Sequence, residues 1–161
     1  MIQPYLVLAE RIRSELSDLE KLVSRAERAI TASQSRPEDQ DLFIDSAALS
    51  LHDLYSGLER IFRQIAATVD NQVPSDLEWH RELLRQMSVE QPGLRPAVIS
   101  NVSVSALDEY LRFRHVLRNI YAFSFIPSQI ERLVYQFKPV FAQVRSELST
   151  FSDFLEQVGQ D

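Results

Sequence analysis

At 161 residues, the chain is long enough to bury one hydrophobic core, and its 45% hydrophobic and 25% charged residues are ordinary for a globular domain. The formal net charge of -6 excludes a protein that coats nucleic acid with its whole surface, because such proteins are basic. Without cysteine, the chain forms no disulfide, thiolate metal site or cysteine nucleophile.

The sequence lacks the features of an exported or membrane protein. No apolar run approaches the roughly 20 residues that cross a bilayer. The N-terminus has no basic start followed by an apolar core, as a secretory signal would have. We therefore expect a cytoplasmic protein that does not enter the membrane. Glycine is scarce, and the abundance of leucine, alanine, glutamate and arginine favours helices over sheet.

Two long amphipathic helices are predicted first. Apolar residues recur at spacings of three and four from Leu8 to Ile30, which predicts a helix that begins near Pro4 and ends near Ser33. After a polar break that contains a proline, the same spacing predicts a second helix that ends at about Val69.

A shorter third helix is predicted from Asp76 to about Ser88, with Ser75 and Glu78 at the spacing of a capping box. Its adjacent Trp79 and His80 are the residue types of a base-stacking site. Without basic neighbours in the sequence, we interpret Trp79 as a buried anchor instead. Residues 90–101, rich in proline, are predicted to form a loop.

The fourth and fifth helices complete the predicted fold. Ser103 or Ser105 is predicted to cap the fourth helix, which ends near Ser124. The fifth begins at Pro127, and Pro139 is expected to kink or split it. The prediction is an all-α, single-domain bundle over residues 1–161, with about five helices in up-and-down order and no strand.

The fourth helix has two different faces. One is apolar and is predicted to be buried in the core; it comprises Phe113, Val116, Leu117 and Ile120. The other places Leu107 and Leu111 beside Arg114 and Arg118, which indicates a cleft or a surface for self-association. The alternative is a core helix with a solvated arginine edge.

Other kinds of site find no support. His52, His80 and His115 are expected to lie far apart on different predicted helices, and no pair has the spacing of a helical metal site. There is no glycine-rich loop for phosphate and no recognisable pair of catalytic carboxylates. We therefore predict no metal and no cofactor.

The segment from Arg114 to Tyr121 resembles the motif of HEPN domains, and of the HepT-like ribonuclease toxins in particular. That motif is an arginine, a polar residue, three further residues, a histidine, any residue and a tyrosine. Arg114 takes the arginine position, His115 the polar position and Tyr121 the tyrosine position. Asn119 stands where the family has its histidine. The helices before and after the motif also fit the family.

The resemblance implies an endoribonuclease that needs no metal, in which histidine moves a proton and arginine stabilises charge on the phosphorane. The amide of Asn119 does not titrate, so His115, one helical turn away, is the candidate substitute. Arg114, His115 and Asn119 are thus the candidate catalytic residues, and Arg112 and Arg118 the RNA-binding ones. We expect Arg114, at a cleft edge, to contribute little to the core.

The resemblance also implies partners. HepT-like toxins form homodimers with a shared cleft, and their antitoxin is a small nucleotidyltransferase of the MNT type that can transfer AMP to the motif tyrosine. Tyr121 is therefore the candidate AMP acceptor; alternatively, it closes the end of a core helix.

Three functions remain open at this point. The first is a toxin that cleaves RNA, favoured by Arg114, His115, Arg118 and Tyr121. The second is a catalytically inert HEPN protein that serves as a binding partner or AMP-acceptor platform for a nucleotidyltransferase, favoured by Asn119. The third is an unrelated bundle with a coincidental motif.

Overall fold

A computed structural model describes the whole chain except residues 118, 120, 122 and 123, and its described part contains five α-helices and no strand. They are α1 (Gln3–Ser35), α2 (Gln40–Ile65), α3 (Trp79–Met87), α4 (Asn101–Leu117) and α5 (Pro127–Gln160). A π-helical turn, Ala66–Asp70, extends α2. The predicted all-α bundle of five helices is confirmed.

The core lies where α1 packs along both α2 and α5, and α4 covers α2 and α5 from the other side. Gly57 permits the close approach of α1 and α2, because a Cβ atom at this position would overlap with Leu19 Cδ2. The α5 helix continues through Pro139, so the predicted split is wrong. No helix in the described residues combines the length and apolarity needed to cross a membrane.

The α4 helix begins earlier than the sequence predicts. It starts at Asn101, and the Oγ of Ser100 accepts a hydrogen bond from the Ser103 backbone N–H at 3.2 Å. Ser100 is therefore the cap, and the prediction of Ser103 or Ser105 is wrong. The Ser103 hydroxyl instead donates to Glu147 Oε1 on α5 at 2.6 Å. Burial raises the pKa of Glu147, but hydrogen bonds from Ser103, Gln143 and Ser100 outweigh it and lower that pKa below its ordinary value.

The α4 helix is described as far as Leu117, and neither Asn119 nor Ser124 is helical, so the predicted end near Ser124 is wrong. The side-chain amide of Asn119 donates to the backbone carbonyl of His115 at 2.8 Å. This bond satisfies one of the carbonyl groups that a helix end leaves unpaired.

The buried face of α4 differs from the predicted one. Leu107 and Leu111 are fully buried, at 0% and 1% exposure, so the proposal that they form a self-association face with Arg114 is wrong. Phe113 is buried as predicted and Leu117 packs against the core. Val116 is 48% exposed, contrary to prediction. Ile120, the last member of the predicted stripe, lies outside the described residues.

A buried ion pair joins the end of α2 to the loop after α3. Arg95 Nε lies 2.5 Å from Asp70 Oδ1, and Arg95 Nη2 lies 2.7 Å from Asp70 Oδ2, with both side chains almost fully buried. The same guanidinium donates to the backbone carbonyls of Val89, Pro96 and Gln86. Gln86, on α3, also donates to Asp70 Oδ2 at 2.8 Å. This network holds α3 against the end of α2.

Candidate functional site

Arg114 forms an ion pair with a carboxylate of the core. Its Nη1 lies 2.6 Å from Oε1 of Glu59, and the two side chains are 12% and 7% exposed. Glu59 lies on α2, so the contact crosses from one helix to another. The expectation that Arg114 contributes little to the core is therefore wrong, because a nearly buried carboxylate depends on its charge.

His80, in the first turn of α3, joins this ion pair, and the three side chains form a cluster. Its Nδ1 lies 2.7 Å from Glu59 Oε2 and 3.4 Å from Arg114 Nη1. The indole of Trp79 stacks on the imidazole, with ring centroids 3.5 Å apart. Arg63 of α2 lies over the Trp79 ring at 4.8 Å from its centroid. Glu59 is thus the common partner of a cation and an imidazole.

His115 brings a second imidazole to the same place. Its ring meets that of His80 edge to face, with centroids 6.1 Å apart, and its side chain is exposed. The sequence-based view that the histidines lie apart is wrong for this pair. The third, His52, contacts its neighbour Asp53, with Nδ1 3.4 Å from Oδ1.

The remaining predicted site residues lie at the surface around the end of α4. Asn119 is exposed and uses its amide to cap the helix. Tyr121 is 81% exposed and is not helical, so the alternative that it closes a core helix is wrong. Arg112 is exposed, and its Nε lies 3.3 Å from Asp108 Oδ2. Arg118 lies outside the described residues.

The charges of the cluster act on Tyr55, which is buried one turn before Glu59 on α2. Burial raises the pKa of its phenol well above the ordinary value, and the negative charge of Glu59 raises it further. Arg114 lowers this pKa in part, without cancelling the rise. Tyr55 therefore stays protonated beneath the site. Among the described residues, no group of three or more histidine, aspartate and glutamate side chains is arranged to hold a metal ion.

Sequence reasoning missed Glu59 and His80. One signal was present for Glu59, since it lies at helical spacing from Tyr55 and Phe62 on the apolar face of α2. A charged residue on such a face is almost never buried without a partner. For His80 the signal was its position beside Trp79, but this pair was set aside because Glu59 and Arg114, the partners of His80, are distant in the sequence.

The chain was compared with known proteins. A family model described as HepT-like protein matches residues 46–155, which is more than half of the chain. The matched range includes the cluster of Glu59, His80, Arg114 and His115. Comparison with curated proteins and with solved structures gave no match.

Proposed function

Because this chain belongs to the family of HepT-like proteins, we propose that it is a HEPN-type toxin of a toxin–antitoxin pair that cleaves RNA without a metal ion. One observation carries this proposal: the exposed imidazole of His115 lies beside the cluster that positions Arg114. A titratable group and a fixed cation at one place are what metal-independent cleavage of a phosphodiester requires.

Arg114 retains the donors for this role. A guanidinium has five N–H groups, and the contacts with Glu59 and His80 engage Nη1. No other partner of this guanidinium is found among the described residues, so we propose that its remaining donors bind the oxygens of a phosphate, while the buried partner holds the group in one orientation before substrate binds. We assign Arg114 to the charge of the phosphorane and His115 to proton transfer. Arg112 and Arg118 are proposed to bind the flanking phosphates.

We expect wild-type protein to cleave mixed RNA in the presence of a chelator, and His115→Ala to cleave about 10²–10⁴-fold more slowly, the usual contribution of a positioned acid or base. Asn119→His restores the histidine of the family motif and should raise the rate. The matched control is His52→Ala, which removes the histidine beside Asp53. Cleavage that survives His115→Ala unchanged would rule out His115 as the proton-transfer group.

We further propose a homodimer with a shared cleft at the exposed end of α4. Val116 and Ile126 are 48% and 61% exposed, and both lie close in sequence to the motif. We propose that the two side chains form one apolar patch, since a contiguous exposed apolar patch favours contact with a partner. This surface replaces the one formed by Leu107 and Leu111, which the monomer itself buries.

Val116→Glu should weaken this dimer, because it places an unpaired charge in an apolar contact. We expect the dissociation constant to rise about 10–100-fold, which corresponds to a loss of roughly 1–3 kcal/mol of binding free energy. Sedimentation of wild type and Val116→Glu at tens of micromolar measures the change in the dissociation constant. The control is Val102→Glu, at a valine 76% exposed at the other end of α4. A wild-type protein that sediments as a monomer under these conditions would exclude the dimer.

The second candidate is an inert platform for a nucleotidyltransferase antitoxin. Two observations favour it: Glu59 already neutralises Arg114, and Asn119 caps α4. Arg114 and Asn119 thus each have a structural role that does not depend on catalysis. Absence of wild-type cleavage, together with transfer of AMP to Tyr121 by the partner, would establish this function. The matched variants are Tyr121→Phe and Tyr135→Phe, at two exposed tyrosines.

A further inference from the structure

The cluster contains an imidazole that the motif does not include. We infer that His80, oriented by Glu59, is a second acid–base residue of this site and performs the task of the histidine that Asn119 replaces. The inference rests on the proposed RNA cleavage. It assigns to α3 a catalytic group that lies outside the motif segment on α4.

The contacts of His80 determine which nitrogen carries its proton. Nδ1 faces the Glu59 carboxylate at 2.7 Å and the Arg114 guanidinium at 3.4 Å. An ionised carboxylate only accepts hydrogen bonds, so the 2.7 Å contact requires an N–H on Nδ1, and the guanidinium, which itself only donates, then makes a close contact with that nitrogen at 3.4 Å and no hydrogen bond. Nδ1 must therefore donate to Glu59, which places the lone pair of the neutral ring on Nε2. A carboxylate that orients a histidine in this way is the arrangement of a general base.

The surroundings also keep this ring in place. Trp79 stacks on it, and Arg63 covers Trp79. The charged and titratable groups that face it are Glu59 from α2 and Arg114 and His115 from α4. The side chain nevertheless keeps 16% exposure. A ring that is held on one edge and still accessible is suited to meet a substrate.

Two imidazoles match the chemistry better than one. In metal-independent cleavage, the 2′-hydroxyl of the ribose attacks phosphorus as the bond from phosphorus to the 5′-oxygen breaks. The proton of the hydroxyl passes to Nε2 of neutral His80, and protonated His115 donates a proton to the departing 5′-oxygen. The products are a 2′,3′-cyclic phosphate and a 5′-hydroxyl, and exchange with solvent then removes the added proton from His80 and restores one to His115. Attacking and leaving oxygens lie on opposite sides of phosphorus, so separate rings, 6.1 Å apart here, serve them.

The simpler reading is that His80 only packs against Glu59. His80→Asn distinguishes this packing role from a catalytic role. An asparagine amide can place its NH₂ near the position of Nδ1 and donate to Glu59, but it contains no group that titrates. We expect His80→Asn to unfold in urea at the wild-type midpoint and to cleave RNA about 10²–10⁴-fold more slowly. His52→Asn is the matched control for the loss of a histidine outside the cluster.

An independent readout exists in Trp79, the single tryptophan of the chain. Protonation of an imidazole stacked on an indole quenches its fluorescence, so a pH titration of emission should follow His80 in the full-length protein. We expect this transition in wild type and in His115→Asn, and its absence in His80→Asn. Its midpoint should coincide with the limb of the pH–rate profile that reports the base.

The outcomes distinguish a failure of the role assigned to His80 from a failure of the proposed function. Wild-type cleavage that His80→Asn leaves intact, or a fluorescence midpoint that differs from the kinetic one, overturns the role of His80 and leaves the proposed function standing. Absence of any cleavage by wild type overturns the proposed function and the role of His80 together. Loss of cleavage in a stably folded His80→Asn, together with agreement between the fluorescence and kinetic midpoints in wild type, establishes the role of His80.

Discussion

Arg114→Ala should abolish RNA cleavage and also lower the free energy of unfolding by about 3–5 kcal/mol, the typical result of removing one partner of a buried ion pair. The reason is that Glu59, 7% exposed, would keep its charge without the guanidinium at 2.6 Å. Loss of activity in this variant alone would therefore not prove catalysis. Urea unfolding, measured beside the cleavage rate, shows how much of the loss is structural.

A double variant separates the two effects. Arg114→Met with Glu59→Leu removes both charges, and replacing a buried pair by apolar residues is often neutral or stabilising. Its stability should return towards wild type while RNA cleavage stays absent. Arg112→Ala, at an exposed arginine of the same helix, is the control for stability and should stay within about 0.5 kcal/mol of wild type. Cleavage by a stable protein that lacks Arg114 would contradict its assigned role.

Arg95→Ala should be the most destabilising change outside the site, by about 3–5 kcal/mol. Its guanidinium is fully buried, pairs with Asp70 through two nitrogens and donates to three backbone carbonyls. Alanine at this position leaves a buried carboxylate and several carbonyl groups unpaired, and each of these unpaired groups lowers the free energy of unfolding. The free energy of unfolding in urea measures the effect.

The same substitution should also disturb the candidate functional site, because α3 carries part of that site. Because the network around Arg95 holds α3 against α2, its loss should displace Trp79 and His80 and change the emission of the tryptophan before the chain unfolds. Arg85→Ala, at an exposed arginine of α3, is the matched control. A free energy of unfolding for Arg95→Ala within about 1 kcal/mol of wild type would contradict the role of this ion pair.

The five helices and the family could be predicted from the amino-acid sequence alone. Helical spacing of apolar residues is a local property, and each long segment carries it in an unbroken form. The motif from Arg114 to Tyr121 is equally local, and the family match over residues 46–155 agrees with it. The ends of α4 were not predicted correctly, because Ser100 is as able to cap a helix as the predicted Ser103 or Ser105, and the partners available in the fold decide which of them does so.

The buried face of α4 and the groups that surround Arg114 depend instead on how the helices pack together. Leu107 and Leu111 could face a partner or the core, and packing against α2 and α5 placed them inside. Glu59 lies 55 residues before Arg114 and 21 before His80, so no local pattern relates them. They meet because a buried carboxylate must find a compensating cation, and the packing of α2, α3 and α4 determines which one is within reach.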